Sequence, residues 1–281
     1  MKHSEYPRVT IVTPSFNQGM FLERTILSVI NQDYPNLEYI IVDGGSTDNS
    51  LEIIKKYEDR ITKWVSEPDT GQSDAINKGF GMATGQVFNW LNSDDVLCPH
   101  AIKIVVDYYK RIPAIQVFYG DRIVIDQDDR VYKTVEGPSF NRRELKYYIK
   151  IPQETVFFTR DIWEKERGLN EELHYTMDND LWFRFVRHSD FKHIPFFLGA
   201  YREHYNSKSV EVFGSQKRND KAMAELSYMK KKYYNTWLRA PRYWKFFYMW
   251  NQMRLAHEKS SKKRRLEVEH IIELVQQNGR S

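Results

Sequence analysis

A single cysteine, Cys98, stands in 281 residues. It excludes an internal disulfide, fits a reducing compartment, and reads as a small buried hydrophobe. No run approaches the roughly 18 apolar residues of a membrane-spanning helix. Residues 1–7 carry no apolar stretch of the signal-peptide kind. The expectation is a cytoplasmic protein, resting at most on the inner face of the cell membrane. The turn after the first predicted strand, Pro14-Ser15-Phe16-Asn17-Gln18-Gly19, lacks Gly-x-Gly-x-x-Gly, and Gly79-Phe80-Gly81 lies at the wrong end of its helix. Those absences exclude a dinucleotide-binding oxidoreductase. Net charge is only +4, too mild to imply nucleic acid. Repeats and low-complexity tracts are absent.

What is present is a chain with 41% hydrophobic and 28% charged residues, enough for a sizeable core. Aromatics reach 15%, which suits carbohydrate clefts and ordinary cores alike. Val9–Thr13 reads as a buried strand stopped by Pro14. Phe21, Thr25, Ile26 and Val29 follow at helical spacing. Leu37–Val42 is a second strand, with Leu51, Ile53, Ile54 and Tyr57 marking a second helix. Ile61–Val65 and Asp74–Met82 repeat the pair, and Gln86–Leu91 gives a fourth strand. Alternation of this kind predicts an α/β fold with a mostly parallel central sheet and ligands at the strands' carboxyl ends. Shorter strands are expected at Val117–Tyr119, Arg122–Ile125 and Val131–Thr134, with Asp126–Asp129 as a turn. Helix returns at Asp178–Val186 and again from about 215. The boundary is set near 212, giving a 1–212 domain and a helical 213–281 extension.

Four acidic segments fall at strand or helix ends. Asp43 closes the second strand ahead of Gly44-Gly45-Ser46-Thr47-Asp48, where glycines permit a tight turn. A carboxylate there can also accept from a nucleobase N–H or a ribose hydroxyl. Asp74, Asn77 and Lys78 share one helix face at i, i+3 and i+4. That face is solvated or, starting beside a strand end, meets a ligand. Asn92-Ser93-Asp94-Asp95 follows the fourth strand. Hard divalent cations take such oxygen ligands while gripping phosphate, and helix capping alone would need only one of them. Asp178 and Asp180 open a helix, where carboxylates are favoured electrostatically and where a general base could face an acceptor hydroxyl. Asp180 and Arg184 suit a structural pair. Arg202 and His204 add a guanidinium and an imidazole, candidates for a diphosphate and a metal contact.

In this order and spacing the segments resemble the family-2 glycosyltransferases of the GT-A fold, across roughly residues 7–210. The resemblance rests on Val-Thr-Pro-Ser-Phe-Asn (12–17), Glu-Tyr-Ile-Ile-Val-Asp-Gly-Gly-Ser-Thr-Asp (38–48) and Asp-Ala-Ile-Asn-Lys-Gly (74–79). Leu-Asn-Ser-Asp-Asp (91–95) and Asp-Asn-Asp-Leu-Trp-Phe-Arg (178–184) complete it. It implies a nucleotide-diphosphate sugar donor, with Pro14, Ser15, Asn17 and Asp43 at the base and ribose and Asp74 holding the nucleotide. Asn92-Ser93-Asp94 falls on the family's Asp-x-Asp metal motif, which makes Asp94 the expected ligand of Mn²⁺ or Mg²⁺. Asp178 falls on the catalytic base of an inverting transfer to a saccharide or lipid-linked acceptor, as in bacterial polysaccharide assembly. Two departures stand out: Asn92 replaces the first metal carboxylate, and Met177 replaces the glutamate of a Glu-Asp pair. A catalytically degenerate fold that binds nucleotide sugar or glycan is the alternative.

Twelve basic residues lie between 230 and 265 against one acidic residue, Glu258, interleaved with aromatics such as Trp237, Trp244 and Trp250. Basic aromatic helices can lie in an anionic membrane interface, the first reading of this tail. A helical cap on the catalytic domain is the other reading. The tail also offers a surface for homodimerisation.

Overall fold

A computed structural model describes residues 5–140, 151–205, 207–208 and 216–234. The chain divides into two units, Met1–Glu225 and Leu226–Ser281. The first begins with three parallel crossovers. β1 (Val9–Ser15) pairs with β2 (Leu37–Asp43) on one side and β4 (Val87–Trp90) on the other, and β3 (Lys63–Ser66) lies beyond β2. The linking helices are α1 (Gly19–Ile30), α2 (Ser50–Lys56) and α3 (Gln72–Gly81). Every residue of β1 and β4 is buried, as near-continuous apolar strands require when both faces are covered. Helix α1 turns Phe21, Leu22, Thr25, Ile26, Val29 and Ile30 inward. Gly79 marks the tightest approach of α3 to the sheet, because a Cβ there would lie 2.4 Å from Val12 Cγ1.

The second half runs β5 (Val96–Leu97), α4 (Ala101–Arg111), β6 (Val117–Ile125), β7 (Val131–Val135), β8 (Phe157–Thr159), α5 (Arg160–Glu166), α6 (Met177–Phe185) and β9 (Phe191–Arg202), followed by α7 (Gln216–Tyr234). Sheet order is β3-β2-β1-β4-β8-β6-β9-β5, with β7 on β6. The first half is parallel; β8 joins β4 and β6 antiparallel, and β6 with β9 is parallel again. Aromatics fill the layer beside β4 and β8. Phe80 stacks on Phe88 at 4.7 Å, and Trp90 on Trp182 at 5.4 Å. Much of the aromatic content therefore belongs to the core.

Two local expectations need correction. β1 runs through Pro14 to Ser15 instead of stopping at Thr13. The missing N–H faces the β4 side, where the ladder has already ended with Val12 opposite Trp90 and Leu91 N–H donating to the Val12 carbonyl. Proline sacrifices no sheet bond there. The segments 117–119 and 122–125 form one strand, β6, whose register against β9 shifts around Gly120 and Asp121. A Cβ at Gly120 would stand 2.4 Å from Leu198 Cγ, so glycine admits the neighbouring strand.

In the second unit, the end of α7 places the Lys232 ammonium over the Tyr228 and Tyr233 rings. The expected boundary near 212 and the basic aromatic tail from 235 onward lie outside the described residues, and with them the membrane, capping and dimer readings. Among the described residues, no helix is long and apolar enough to cross a membrane.

Candidate active site

Strand order reverses on either side of β1, the position in an open α/β sheet where a crevice forms beyond the carboxyl ends. Asp43 closes β2 fully buried. Its Oδ2 accepts from Gly45 N–H at 3.1 Å, Ser46 N–H at 2.9 Å and Ser66 Oγ at 2.7 Å, while Oδ1 accepts from Ser46 Oγ at 2.5 Å. The carboxylate thus builds the glycine turn. Asn17, in the left-handed region at φ 53°, ties the turn after β1 to it: its N–H donates to Ser46 Oγ and its Oδ1 accepts from Thr47 N–H, both at 2.8 Å. Beside Pro14, the Ser15 hydroxyl is buried and, among the described residues, has no hydrogen-bond partner, an uncompensated group at the end of β1.

The polar face of α3 separates into two roles. Asp74 Oδ2 accepts from Thr70 N–H at 3.0 Å and lies 3.3 Å from Lys78 Nζ, which is also 3.2 Å from Glu67. The Thr70 bond, with Lys78 beside it, holds the Asp74 carboxyl below its ordinary range. Asn77 pins a distant loop: Oδ1 accepts from Leu169 N–H at 2.9 Å, and Nδ2 donates to the Leu169 carbonyl and to Glu171.

Beyond β4, the amide of Asn92 is engaged on both sides. Oδ1 accepts from Gln72 Nε2 at 2.6 Å; Nδ2 donates to Asp95 Oδ2 and to Gln153 Oε1, each at 3.1 Å. Ser93 accepts the Thr25 hydroxyl on its carbonyl at 2.9 Å. Asp94 Oδ2 meets His204 Nε2 at 3.0 Å. Arg202, 1% exposed, braces this corner: Nε donates to the Asp94 carbonyl, Nη1 to the Asp126 carbonyl, and Nη2 reaches Asp129 Oδ1 at 2.5 Å. Its own N–H donates to Asp95 Oδ1 at 3.0 Å. Burial, with Asp94 and Glu154 adding repulsion, pushes the Asp95 carboxyl well above the usual range.

Among the described residues, no group of three or more His, Cys, Asp or Glu side chains could hold a metal. Asp94 with His204 fits a smaller share. One carboxylate and one imidazole suit a cation that takes its remaining ligands from phosphate and water. Asn92, turned toward Gln72, Asp95 and Gln153, is not aimed to join them.

Asp178 lies in the first turn of α6. Its Oδ1 accepts from Asn179 N–H at 2.7 Å and Asn179 Nδ2 at 2.9 Å, and its Oδ2 has no partner among the described residues. Desolvation raises its pKa despite those bonds. Glu225 holds the residues leading into the helix: Oε1 accepts from His174 N–H at 3.0 Å, and Oε2 from Tyr175 N–H at 2.8 Å and Thr176 N–H at 3.1 Å. A carboxylate at that end satisfies otherwise orphan donors and suits the helix dipole. Met177, the neighbour of Asp178, accepts the Ser73 hydroxyl on Sδ at 2.9 Å, which joins the starts of α3 and α6. A small cleft lies there, lined by Gln72, Asp74, Glu171, His174, Met177 and Lys208 among others. The expected Asp180–Arg184 pair forms at 2.8 Å.

Several members of this arrangement escaped the sequence reading: Gln72, Gln153, Glu154 with its ion-paired Arg122, Lys208 and Glu225. Glu154 is 1% exposed, and a buried acid next to Val156-Phe157-Phe158 was the one available signal. Lys208 and Glu225 stand in segments with no motif of their own.

A family model described as glycosyl transferase family 2 matches residues 10–194. The hyaluronan synthase of Pasteurella multocida is 28% identical over 216 residues, 76% of this chain and 22% of that protein. The chondroitin synthase of Escherichia coli is 26% identical over 236 residues, 81% of this chain and 34% of that protein. The chain thus spans about a fifth to a third of the length of these synthases. S. aureus TarS 1–349, solved in complex with UDP-GlcNAc, superposes with a TM-score of 0.61 at 14% identity, over 80% of this chain and 73% of that one. The mannosyltransferase PcManGT of Pyrobaculum calidifontis, solved with GDP-Man and Mn²⁺, gives 0.59 at 16% identity, over 79% and 65%. The fold expected from the motif order is the fold these structures share.

Proposed function

The chain belongs to glycosyl transferase family 2, and from that premise we propose that it moves a sugar from a nucleotide-diphosphate donor onto a hydroxyl of a saccharide or lipid-linked acceptor, with inversion. The observation that carries this reading is the Oδ2 of Asp178, unpartnered among the described residues, in the first turn of α6 beside Met177, which lines a cleft with Gln72 and Lys208. The related structures that hold UDP-GlcNAc or GDP-Man support a donor of this class.

Pro14, Ser15, Asn17 and Asp43 form the nucleoside end of the crevice. Asp94 and His204 would hold a divalent cation, which offsets charge growing on the leaving diphosphate. Asp178 Oδ2 takes the acceptor hydroxyl proton as that oxygen attacks the anomeric carbon from the face opposite the diphosphate. One displacement of that kind inverts the centre. Arg202 keeps Asp94 in place from behind; buried, with three of its five N–H donors bonded inside the protein, it supports the site instead of touching phosphate.

The test is release of nucleoside diphosphate from a panel of sugar nucleotides in the presence of acceptor saccharides, with the product's anomeric configuration read by NMR. Acceptor-dependent release with an inverted linkage is expected. Tight donor binding with no release across the panel would favour a binding module on the same fold.

A further inference from the structure

Lys208 is part-buried in the cleft, and its ammonium donates to Gln72 Oε1 at 2.6 Å. Among the described residues it forms no ion pair, and its hydrogen-bond acceptor is a neutral amide. A largely desolvated ammonium that bonds only an amide, with no carboxylate within ion-pair distance among the described residues, has donors left for an anion. The other hydrogen-bonding arm of Gln72, Nε2, donates to Asn92 Oδ1 at 2.6 Å. The lysine is therefore two hydrogen bonds from the position where the family motif carries a carboxylate and this chain carries an amide. Four residues earlier in the chain, His204 meets Asp94 at 3.0 Å.

Resting on the donor reading above, we propose that Lys208 binds the donor's diphosphate directly, a cation built into the chain that carries part of the charge compensation a metal supplies. The loss of a carboxylate at Asn92 weakens the hold on a cation and removes the acid that could have neutralised this lysine. The two effects act in one direction. Burial draws the Lys208 pKa down to about 8, while Glu225, Asp94 and Asp178 pull it up and Lys221 adds to the fall. Asp74, Glu171 and His174 also line the cleft. A phosphate oxygen beside the ammonium would hold the proton on. The ammonium N–H groups bond the bridging and terminal oxygens of the leaving group, so the lysine acts on the diphosphate and not on the nucleoside.

The experiment is calorimetric titration of the full chain with UDP and UMP, and with GDP and GMP, in Mn²⁺ and in chelator. In chelator the wild-type protein is expected to prefer the diphosphate of its nucleotide over the monophosphate. Lys208→Gln should weaken that preference by about tenfold or more, the scale of one charge-assisted hydrogen bond, while Lys208→Arg keeps most of it. Equal melting temperatures of the unliganded variants separate the effect from misfolding. A diphosphate preference seen only with Mn²⁺, or unchanged by Lys208→Gln, overturns the proposal and leaves the donor reading standing. Failure of the wild type to bind any of these, or CDP, CMP, dTDP and dTMP titrated in the same way, removes both.

Discussion

Replacing Asp178 with asparagine is expected to lower turnover by about 10²–10⁴ while leaving donor affinity close to wild type. The amide oxygen can still accept from Asn179 N–H and Nδ2, as Oδ1 does now. The start of α6 therefore keeps its geometry and only the proton acceptor is lost. Because desolvation raises the Asp178 pKa, the ionised base forms above the ordinary carboxylate range. Wild-type kcat should rise with pH through that raised value and then level off. The same shift gives a sign for stability. A carboxyl whose folded pKa lies above its unfolded one contributes stability that is present at low pH and lost as pH rises through the folded value. At neutral pH the charge burdens the fold, so the asparagine variant should melt no lower than wild type, and the difference should shrink on acidification. Steady-state kinetics, donor titration and melting across pH check all three. A variant with near-wild-type turnover would remove Asp178 from the role.

Arg202→Ala is expected to destabilise the first unit by about 3–5 kcal/mol, the range for breaking a buried charge pair, and to lower Tm by about 10 °C. The side chain joins the Asp94 carbonyl, the Asp126 carbonyl and Asp129, and its guanidinium lies 5.0 Å from the Phe21 ring centre. Truncation leaves two buried carbonyls without donors. Arg24 still holds Asp129, at 2.8 Å, which keeps the loss within this range. A lysine in its place would supply one point charge where a planar fork now serves three acceptors, so Arg202→Lys should recover only a minority of the loss. Thermal and urea unfolding measure both variants. The brace also sets Asp94, so donor affinity in Mn²⁺ should fall along with stability.

The sequence exposed the first half of the fold well because its information there is local. Each strand of residues 9–91 is a short apolar run, each linking helix has its own apolar spacing, and each acidic segment falls where a run ends. Asp43 and Asp94 fall at such ends, and Asp178 stands out for a different local reason, the acidic start of a helix. Pro14 was misleading because a strand tolerates proline where its ladder has no partner, and the extent of β4 is a property of the sheet. Arg202 was read as a diphosphate contact, yet its partners at 126 and 129 are fixed by the β6–β7 turn, some 75 residues away in sequence. Lys208 reaches Gln72 across 136 residues, and Glu225 reaches Tyr175 across 50. Contacts of that span leave no periodic trace, and neither residue sits in a motif. Asn92 and Met177, visible from the start as departures from the family pattern, gained meaning only when Gln72, Ser73 and Lys208 were found beside them.

The central claim, that the crevice beyond β1, β2 and β4 binds a nucleotide-sugar donor, is tested most directly by melting the full chain against UDP-, GDP-, dTDP- and CDP-sugars with Mn²⁺, with Mg²⁺ and with chelator. A ligand at 100 times its dissociation constant stabilises a fold by about 2.7 kcal/mol, well within reach of a melting curve. A rise in Tm is expected with the sugars of one nucleotide, larger with metal than with chelator. No rise with any of the four nucleotides under any condition would contradict it.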